Sequence, residues 1–239
     1  MTDRQPPTTK GNLSFHSPVI AIGGSHVDKT ALSPLLGHFP LIAADSGADT
    51  ATTMGVMPDH IIGDFDSIGD MAQFPPDRLI HMAEQDSTDL EKTLSCLSVP
   101  LCLGFGFLGR RFDHSLAALH AIARSQVPVI LIGQHDALIF CSADFSAYLP
   151  SGERFSVWPL IRHHFTMSKG LEWPLNGLSM EAGQLIGTSN RVSTQTDKGL
   201  MPVQISSAGG KGYFIMISSR HWPYLAAAMT NDNSWLEWS

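Results

Sequence analysis

Short apolar runs recur through the first half of the chain, each closed by glycine or by an acidic residue. Pro18-Val19-Ile20-Ala21-Ile22 ends in Gly23-Gly24-Ser25, and Leu41–Ala44 ends in Asp45. Ile61-Ile62 and the stretches 101–105 and 127–132 repeat the pattern. Runs of this length between turn residues predict buried strands. Between them, 89–97 and 114–124 carry leucines and alanines at helical spacing. Strands alternating with helices predict βαβ units and a mostly parallel sheet. Beyond 148–153 the pattern changes to short runs (154–160, 185–187, 203–206, 213–218) punctuated by Gly, Pro and Asn. That punctuation predicts a small all-β sandwich. The expected organisation is a flexible tail over 1–16, an α/β domain over 17–145, a smaller all-β sandwich over 146–225 and a C-terminal tail over 226–239. Trp235 and Trp238 lie in this last tail, where a subunit contact and a frayed end are both open readings.

Composition narrows the class. With 239 residues, 43% hydrophobic and 15% charged, the chain has the make-up of a globular protein with a sizeable core. A net charge of −7 argues against a broad nucleic-acid surface. No apolar run approaches the roughly 20 residues that span a bilayer. The first twelve residues are polar and lack the apolar centre of a signal peptide. Cys96, Cys102 and Cys141 are odd in number and sit in apolar contexts, which fits free thiols of a reducing compartment. The cytoplasm is the expected location.

The acidic residues carry the chemistry. Asp64 and Asp66 are two apart, so in an extended segment both face one side, and Asp45 lies at the end of another strand. Gly63 lets backbone and ligand approach closely. A single aspartate would fit a turn that binds its own backbone. The pair together with Asp45 fits a cation better, because clustered carboxylates are costly without one. Hard oxygen donors suit Mg2+, which shares phosphate ligands with one or two carboxylates. In Gln85-Asp86-Ser87-Thr88-Asp89 two readings stand together. Asp86 and Asp89 can form an acidic capping box, or Asp89 can stand beside the metal and accept a proton. The loop from Gly104 through Gly106, Gly109, Arg110, Arg111 and Asp113 to His114 also has two. It can present N–H groups and an arginine to an anion, or Asp113 can cap the helix with the arginines solvated. The loop matches neither the Walker A nor the dinucleotide pattern. Gly23-Gly24-Ser25 is a second, weaker candidate of the same kind. His163-His164 reads as surface or core, and no zinc-protease helix or serine-hydrolase elbow is present.

In order and spacing these motifs resemble the thiamine pyrophosphokinase (thiamine diphosphokinase) family. The matching strings are Ala44-Asp45-Ser46-Gly47-Ala48, Pro58-Asp59, Gly63-Asp64-Phe65-Asp66-Ser67-Ile68, Gln85-Asp86 with Thr88-Asp89, and Gly106 to Gly109 with Arg111-Phe112-Asp113-His114. Gly170-Leu171-Glu172-Trp173 and Thr188-Ser189-Asn190 look like the family's C-terminal signatures, so the likeness runs from about 18 to about 220. Ser46 stands in place of a glycine, Phe107 and Arg110 in place of small loop residues, and Gly187 in place of a serine that would hydrogen-bond thiamine. No acidic position is lost.

The resemblance implies an ATP:thiamine diphosphotransferase in which the thiamine hydroxyl attacks the β-phosphorus of ATP, releasing AMP. It implies Mg2+ held by Asp45, Asp64 and Asp66, with Asp89 completing the catalytic cluster. Gln85, Arg111, Asp113, Gly106 and Gly109 would serve the nucleotide, and Trp173, Ser189 and Asn190 would line the thiamine pocket. A tryptophan face suits a cationic aromatic vitamin; its plainer reading is a sandwich core residue. A homodimer is implied, with each site between the α/β domain of one subunit and the sandwich of the other. A metal-dependent phosphohydrolase and a non-catalytic thiamine or nucleotide sensor are the alternatives.

Overall fold

The apolar runs of the first half become the strands of one parallel sheet. In the computed structural model, which describes residues 12–194 and 199–239, the chain divides into units Met1–Gln134 and His135–Ser239. Most of the expected N-terminal tail, residues 1–11, lies outside the described residues. Its last part is not a tail: Leu13–Ser14 pairs in parallel with Leu97–Ser98.

The parallel strands of the first unit are β1 (Val19–Ile22), β2 (Leu41–Ala44), β3 (His60–Gly63), β4 (Leu79–His81), β5 (Cys102–Phe105) and β6 (Val129–Ile132). They lie in the order β4-β3-β2-β1-β5-β6, with every neighbouring pair parallel. Ile20 sits opposite both Leu41 and Leu103. Every residue of β1, β2, β5 and β6 is buried, as in a sheet covered on both faces. The sequence pattern missed β4, a three-residue edge strand whose residues are only half-buried.

Helices α1 (Gly47–Thr53), α2 (Asp89–Ser95) and α3 (Phe112–Arg124) connect the strands. The chain steps outward from β1 to β4, then returns to the other side of β1 for β5 and β6. Strand order therefore reverses between β1 and β5, and such a switch point opens a crevice beyond the carboxyl ends of the strands.

Two helix starts differ from expectation. The capping box of α2 uses Thr88, whose hydroxyl accepts the Glu91 N–H (3.3 Å), and Glu91, whose carboxylate accepts the Thr88 N–H (3.0 Å). Asp86 and Asp89 do not form it, so Asp89 is not used as a cap. In α3 the cap position is Arg111, and Asp113 lies inside the first turn.

The second unit contains β7 (Asp136–Cys141), β8 (Phe145–Pro150), β9 (Arg154–Trp158), β10 (His163–Lys169), β11 (Ser179–Met180), β12 (Gly187–Arg191), β13 (Leu200–Gly210) and β14 (Tyr213–Ser218). Strands β12-β9-β14-β7 are antiparallel neighbours, as are β8-β13-β10-β11. Phe145, Ala147 and Leu149 of β8 are buried, while Ser146 and Tyr148 between them are exposed, the alternation of a half-buried strand. Phe145 meets Phe155 of β9 at 6.1 Å, and Phe165 of β10 meets Tyr213 of β14 edge-on at 5.0 Å. The two layers thus share an aromatic core. His163 belongs to it, fully buried 4.8 Å from Tyr213.

The division between units falls at Gln134/His135, ahead of the junction expected at 145. The run in β7 reads like one more strand of the first half, but it pairs antiparallel with β14 across its whole length. Composition cannot reveal a partner some seventy residues away, and pairing decides the assignment. The expected tail over 226–239 is also ordered. Helix α4 (Trp222–Thr230) ends at Asn231, whose φ of 53° suits an αL cap. A 3₁₀ segment (Asn233–Trp238) follows, and Trp235 packs edge-on against Trp222 at 5.7 Å. Trp235 is a core residue.

Candidate active site

The carboxylates converge at the carboxyl ends of β2 and β3. Asp45 follows β2 with φ of 46°, and Phe65 has φ of 69°, two non-glycine residues in the left-handed region. Such strain persists where surrounding structure imposes it, most often at functional sites. Three contacts impose it here. The Asp45 N–H donates to the Ile62 carbonyl (2.9 Å), and the Asp45 carboxylate accepts the Phe65 N–H (3.0 Å). A Cβ on Gly63 would lie 2.9 Å from both Cβ and Oδ1 of Asp45, so only glycine lets β3 pass this close.

One oxygen from each of Asp45, Asp64 and Asp66 lies within 4.8 Å of the others. Asp64 accepts hydrogen bonds from Lys92 Nζ (2.9 Å) and Gln85 Nε2 (3.0 Å), and Asp66 accepts one from the Ser67 hydroxyl (2.9 Å). Burial acts to raise the Asp64 pKa, but Lys92 and its other donors outweigh it and hold the carboxyl at about 2. Burial raises both Asp45 and Asp89, and the charge of Asp64 adds to each. Four carboxylates therefore face one buried cation, Lys92. That surplus of negative charge, carried by hard oxygens, fits a divalent ion such as Mg2+.

The cluster borders a cleft of about 720 Å³ at the β1/β5 switch point. Gly23 and Gly106 also line it. Gly106 has φ of 73°, and a Cβ there would come within 2.5 Å of the Gly23 carbonyl oxygen. Asp45, Asp64, Asp66, Asp89 and Gln85 all line the cleft, as do Gly106 and Arg111. Gly109 and Asp113 do not. The Gly109 N–H is taken by the Ser115 hydroxyl (3.1 Å), and Asp113 pairs with Arg111 through contacts of 2.6 and 3.2 Å.

Sequence reasoning missed Lys92 and undervalued Arg110 and Ser67, which also line the cleft. Lys92 had a signal: it sits three residues after Asp89, inside the Leu90-Leu94 apolar spacing, where a charge needs a partner.

In the second unit, Trp173 is 56% exposed, which rules out the core reading. Buried Asn190 fixes its backbone: Nδ2 donates to the Trp173 carbonyl (2.7 Å), and Oδ1 accepts the Trp173 N–H (3.1 Å). Oδ1 also accepts the Arg191 N–H (2.7 Å), so the Asn190 amide positions this segment through three hydrogen bonds. Ser189, with φ of 59°, donates its N–H to the Ser156 hydroxyl (3.1 Å). The structure joins these three residues in one patch.

By fold and cleft, the first unit falls in the class of open α/β domains that take ligands at the switch point of a parallel sheet. Residues 38–131 match the sequence profile described as "Thiamin pyrophosphokinase, catalytic domain", and residues 150–209 match "Thiamin pyrophosphokinase, vitamin B1 binding domain". The chain belongs to the thiamin pyrophosphokinase family.

Thiamin pyrophosphokinase 1 of Caenorhabditis elegans is 30% identical over 154 residues, which are 57% of this chain and 63% of that protein. The chain thus spans less than two thirds of the nematode relative. Thiamine pyrophosphokinase of Bacillus subtilis is 25% identical over 197 residues, 76% of this chain and 88% of that one. Among solved structures, the Geobacillus thermodenitrificans thiamin pyrophosphokinase aligns with TM-score 0.69 and 21% identity, covering 84% of this chain and 97% of that one. The Candida albicans protein aligns with TM-score 0.70 and 15% identity, covering 85% and 89%. These structural matches show the shared fold.

Proposed function

We propose that the protein is an ATP:thiamine diphosphotransferase, converting thiamine and ATP to thiamine diphosphate and AMP. The observation that carries this reading is the four-carboxylate cleft in a chain whose two halves match the catalytic and vitamin-binding profiles of one family. In the reaction a bond forms between the thiamine hydroxyl oxygen and the β-phosphorus. The bridge from that phosphorus to the α-phosphate breaks, and AMP leaves with the bridging oxygen. Attack at the β-phosphorus, where ordinary kinases choose the γ, is a matter of which atom is held in line with the hydroxyl.

Asp45, Asp64 and Asp66 would hold Mg2+, which when bound screens the negative charge of the polyphosphate. Lys92 and Gln85 orient Asp64 from one side. Asp89, raised by burial and by its acidic neighbours, is suited to accept the hydroxyl proton. The glycine loops let backbone N–H groups approach the phosphates. The exposed indole of Trp173, held by Asn190, offers its face to the thiamine cation. Ser189 stands next to Asn190 in the same patch.

A homodimer is part of the proposal, with Trp173 of one copy serving the acidic cleft of another. Cys96, Cys102 and Cys141 form no disulfide with one another, which supports a reducing compartment, the cytoplasm. No helix among the described residues is long and apolar enough to cross a membrane.

The test is product analysis with Mg2+, ATP and thiamine. AMP and thiamine diphosphate in equal amounts support the reading, whereas ADP with thiamine monophosphate overturns it. Phosphate release that ignores thiamine points to a hydrolase. Binding without turnover points to a sensor.

A further inference from the structure

The cleft has a short supply of free cations for a ligand as negative as a nucleotide triphosphate. Lys92 is buried and already committed to Asp64 at 2.9 Å. Arg111, the arginine assigned to the nucleotide by family resemblance, is bound in a fork to Asp113, its Nε to Oδ1 and its Nη2 to Oδ2. Arg110 is different. Among the described residues it makes no ion pair, and it lines the main cleft. It also lines a second, more open cavity of about 480 Å³, whose other cationic wall is Lys29. The two cavities share Gly24, Ser25, Ser46 and Ser67 with Arg110, so this side chain stands where they join.

The backbone at Arg110 is the second observation. Its φ is 33°, directly after Gly109 at 91°, so two consecutive residues occupy the left-handed region. Glycine would take this conformation without strain, and an arginine does not. The chain therefore keeps a long cationic side chain where the local backbone favours having none. Among the described residues no capping or turn contact uses the guanidinium, so local hydrogen bonding does not account for it.

We propose that Arg110 is the guanidinium that binds the polyphosphate of the donor nucleotide, bridging the acidic cleft and the neighbouring Lys29 cavity. This rests on the ATP-dependent reading above. The planar fork of arginine suits phosphate oxygens, and Arg110 lines the same cleft as the carboxylates, where it can offset polyphosphate charge that they do not. Arg111, tied to Asp113, shapes the loop and the first turn of α3.

The experiment compares the wild-type protein with Arg110→Gly and Arg110→Lys in steady-state kinetics, varying ATP and thiamine separately at several salt concentrations. Arg110→Gly removes the guanidinium and relieves the backbone, so its melting temperature should equal or exceed wild type. Its KM for ATP should rise about tenfold, the loss expected for one charge-assisted contact. The KM for thiamine should stay unchanged, the salt dependence of the ATP term should flatten, and Arg110→Lys should recover part of the loss. An Arg110→Gly variant with wild-type KM for ATP and wild-type salt dependence overturns the assignment. Calorimetric titration with ATP separates this from failure of the functional reading. If the wild-type protein binds ATP without turnover, a weaker titration by Arg110→Gly still supports the proposal and an equal one overturns it. A wild-type protein that binds no ATP overturns both.

Discussion

Replacing Lys92 with methionine keeps an unbranched side chain only one atom shorter and removes the buried cation facing the acidic cluster. Lys92 Nζ lies 2.9 Å from Asp64 Oδ2, with the lysine side chain 2% exposed and the aspartate 14%. Removing one partner of a buried pair leaves the other charge uncompensated, at about 3–5 kcal/mol. The partial solvent access of Asp64 places this case near 3 kcal/mol, a large share of a domain stability of about 5–15 kcal/mol. For a chain of this size that corresponds to a melting temperature roughly 6–12 °C lower. The assay is scanning calorimetry in EDTA and again with excess Mg2+. A cation that binds only the folded state raises stability by mass action, and the variant has one more uncompensated charge for it to neutralise. The Mg2+-induced rise in melting temperature should therefore be larger in Lys92→Met than in wild type. Adding Asp64→Asn to Lys92→Met should restore much of the loss in EDTA, because the uncompensated carboxylate is gone. If Lys92→Met melts with wild type in EDTA and shows the same Mg2+ shift, the account of charge in this cluster is wrong.

Three further outcomes are expected. Asp64→Asn or Asp66→Asn should lower turnover by at least about two orders of magnitude while circular dichroism and melting show a folded protein; near-normal rates in both would remove the metal-site proposal. Trp173→Ala should raise the KM for thiamine about tenfold with little change in the KM for ATP, and should shift stability by no more than about 0.5 kcal/mol, since the indole is largely exposed. Buried Glu153 accepts the Ser218 N–H at 2.6 Å and contacts His221 Nδ1 at 2.5 Å; burial pushes its pKa up, but these partners outweigh it and bring it from 4.5 to about 2. Because the folded value is the lower one, its stabilisation is present above about pH 4.5 and fades as pH falls towards 2. Glu153→Gln should reduce stability at neutral pH by about 2–3 kcal/mol and flatten the acid limb over that window, as read by urea titration at stepped pH.

The parallel half was legible because strands buried on both faces must be written as continuous apolar runs, as in Val19–Ile22 and Val129–Ile132. The acidic ends of β2 and β3 were legible for a related reason. A carboxylate set directly after such a run has few explanations besides a turn or a ligand, and Asp64 and Asp66 repeat it. What stayed hidden depends on partners distant in sequence. Asp136–Cys141 looks like another strand of the first half until Tyr213–Ser218 is laid beside it. Trp235 looks like part of a polar tail until Trp222 is seen beneath it. Lys92 reads as an ordinary helix lysine until Asp64, 28 positions earlier, is found at hydrogen-bond distance. The contrast between Arg110 and Arg111 is invisible in the string Gly109-Arg110-Arg111. It depends on which of two adjacent guanidinium groups Asp113 engages.

The most direct test of the central claim follows phosphorus atoms. ATP labelled on the β-phosphorus, and in parallel ATP labelled on the α-phosphorus, is incubated with the protein, thiamine and Mg2+, and the products are separated. The account expects the β-label in thiamine diphosphate and the α-label in AMP. A β-label that leaves in ADP, or appears as free phosphate or diphosphate regardless of thiamine, would contradict it.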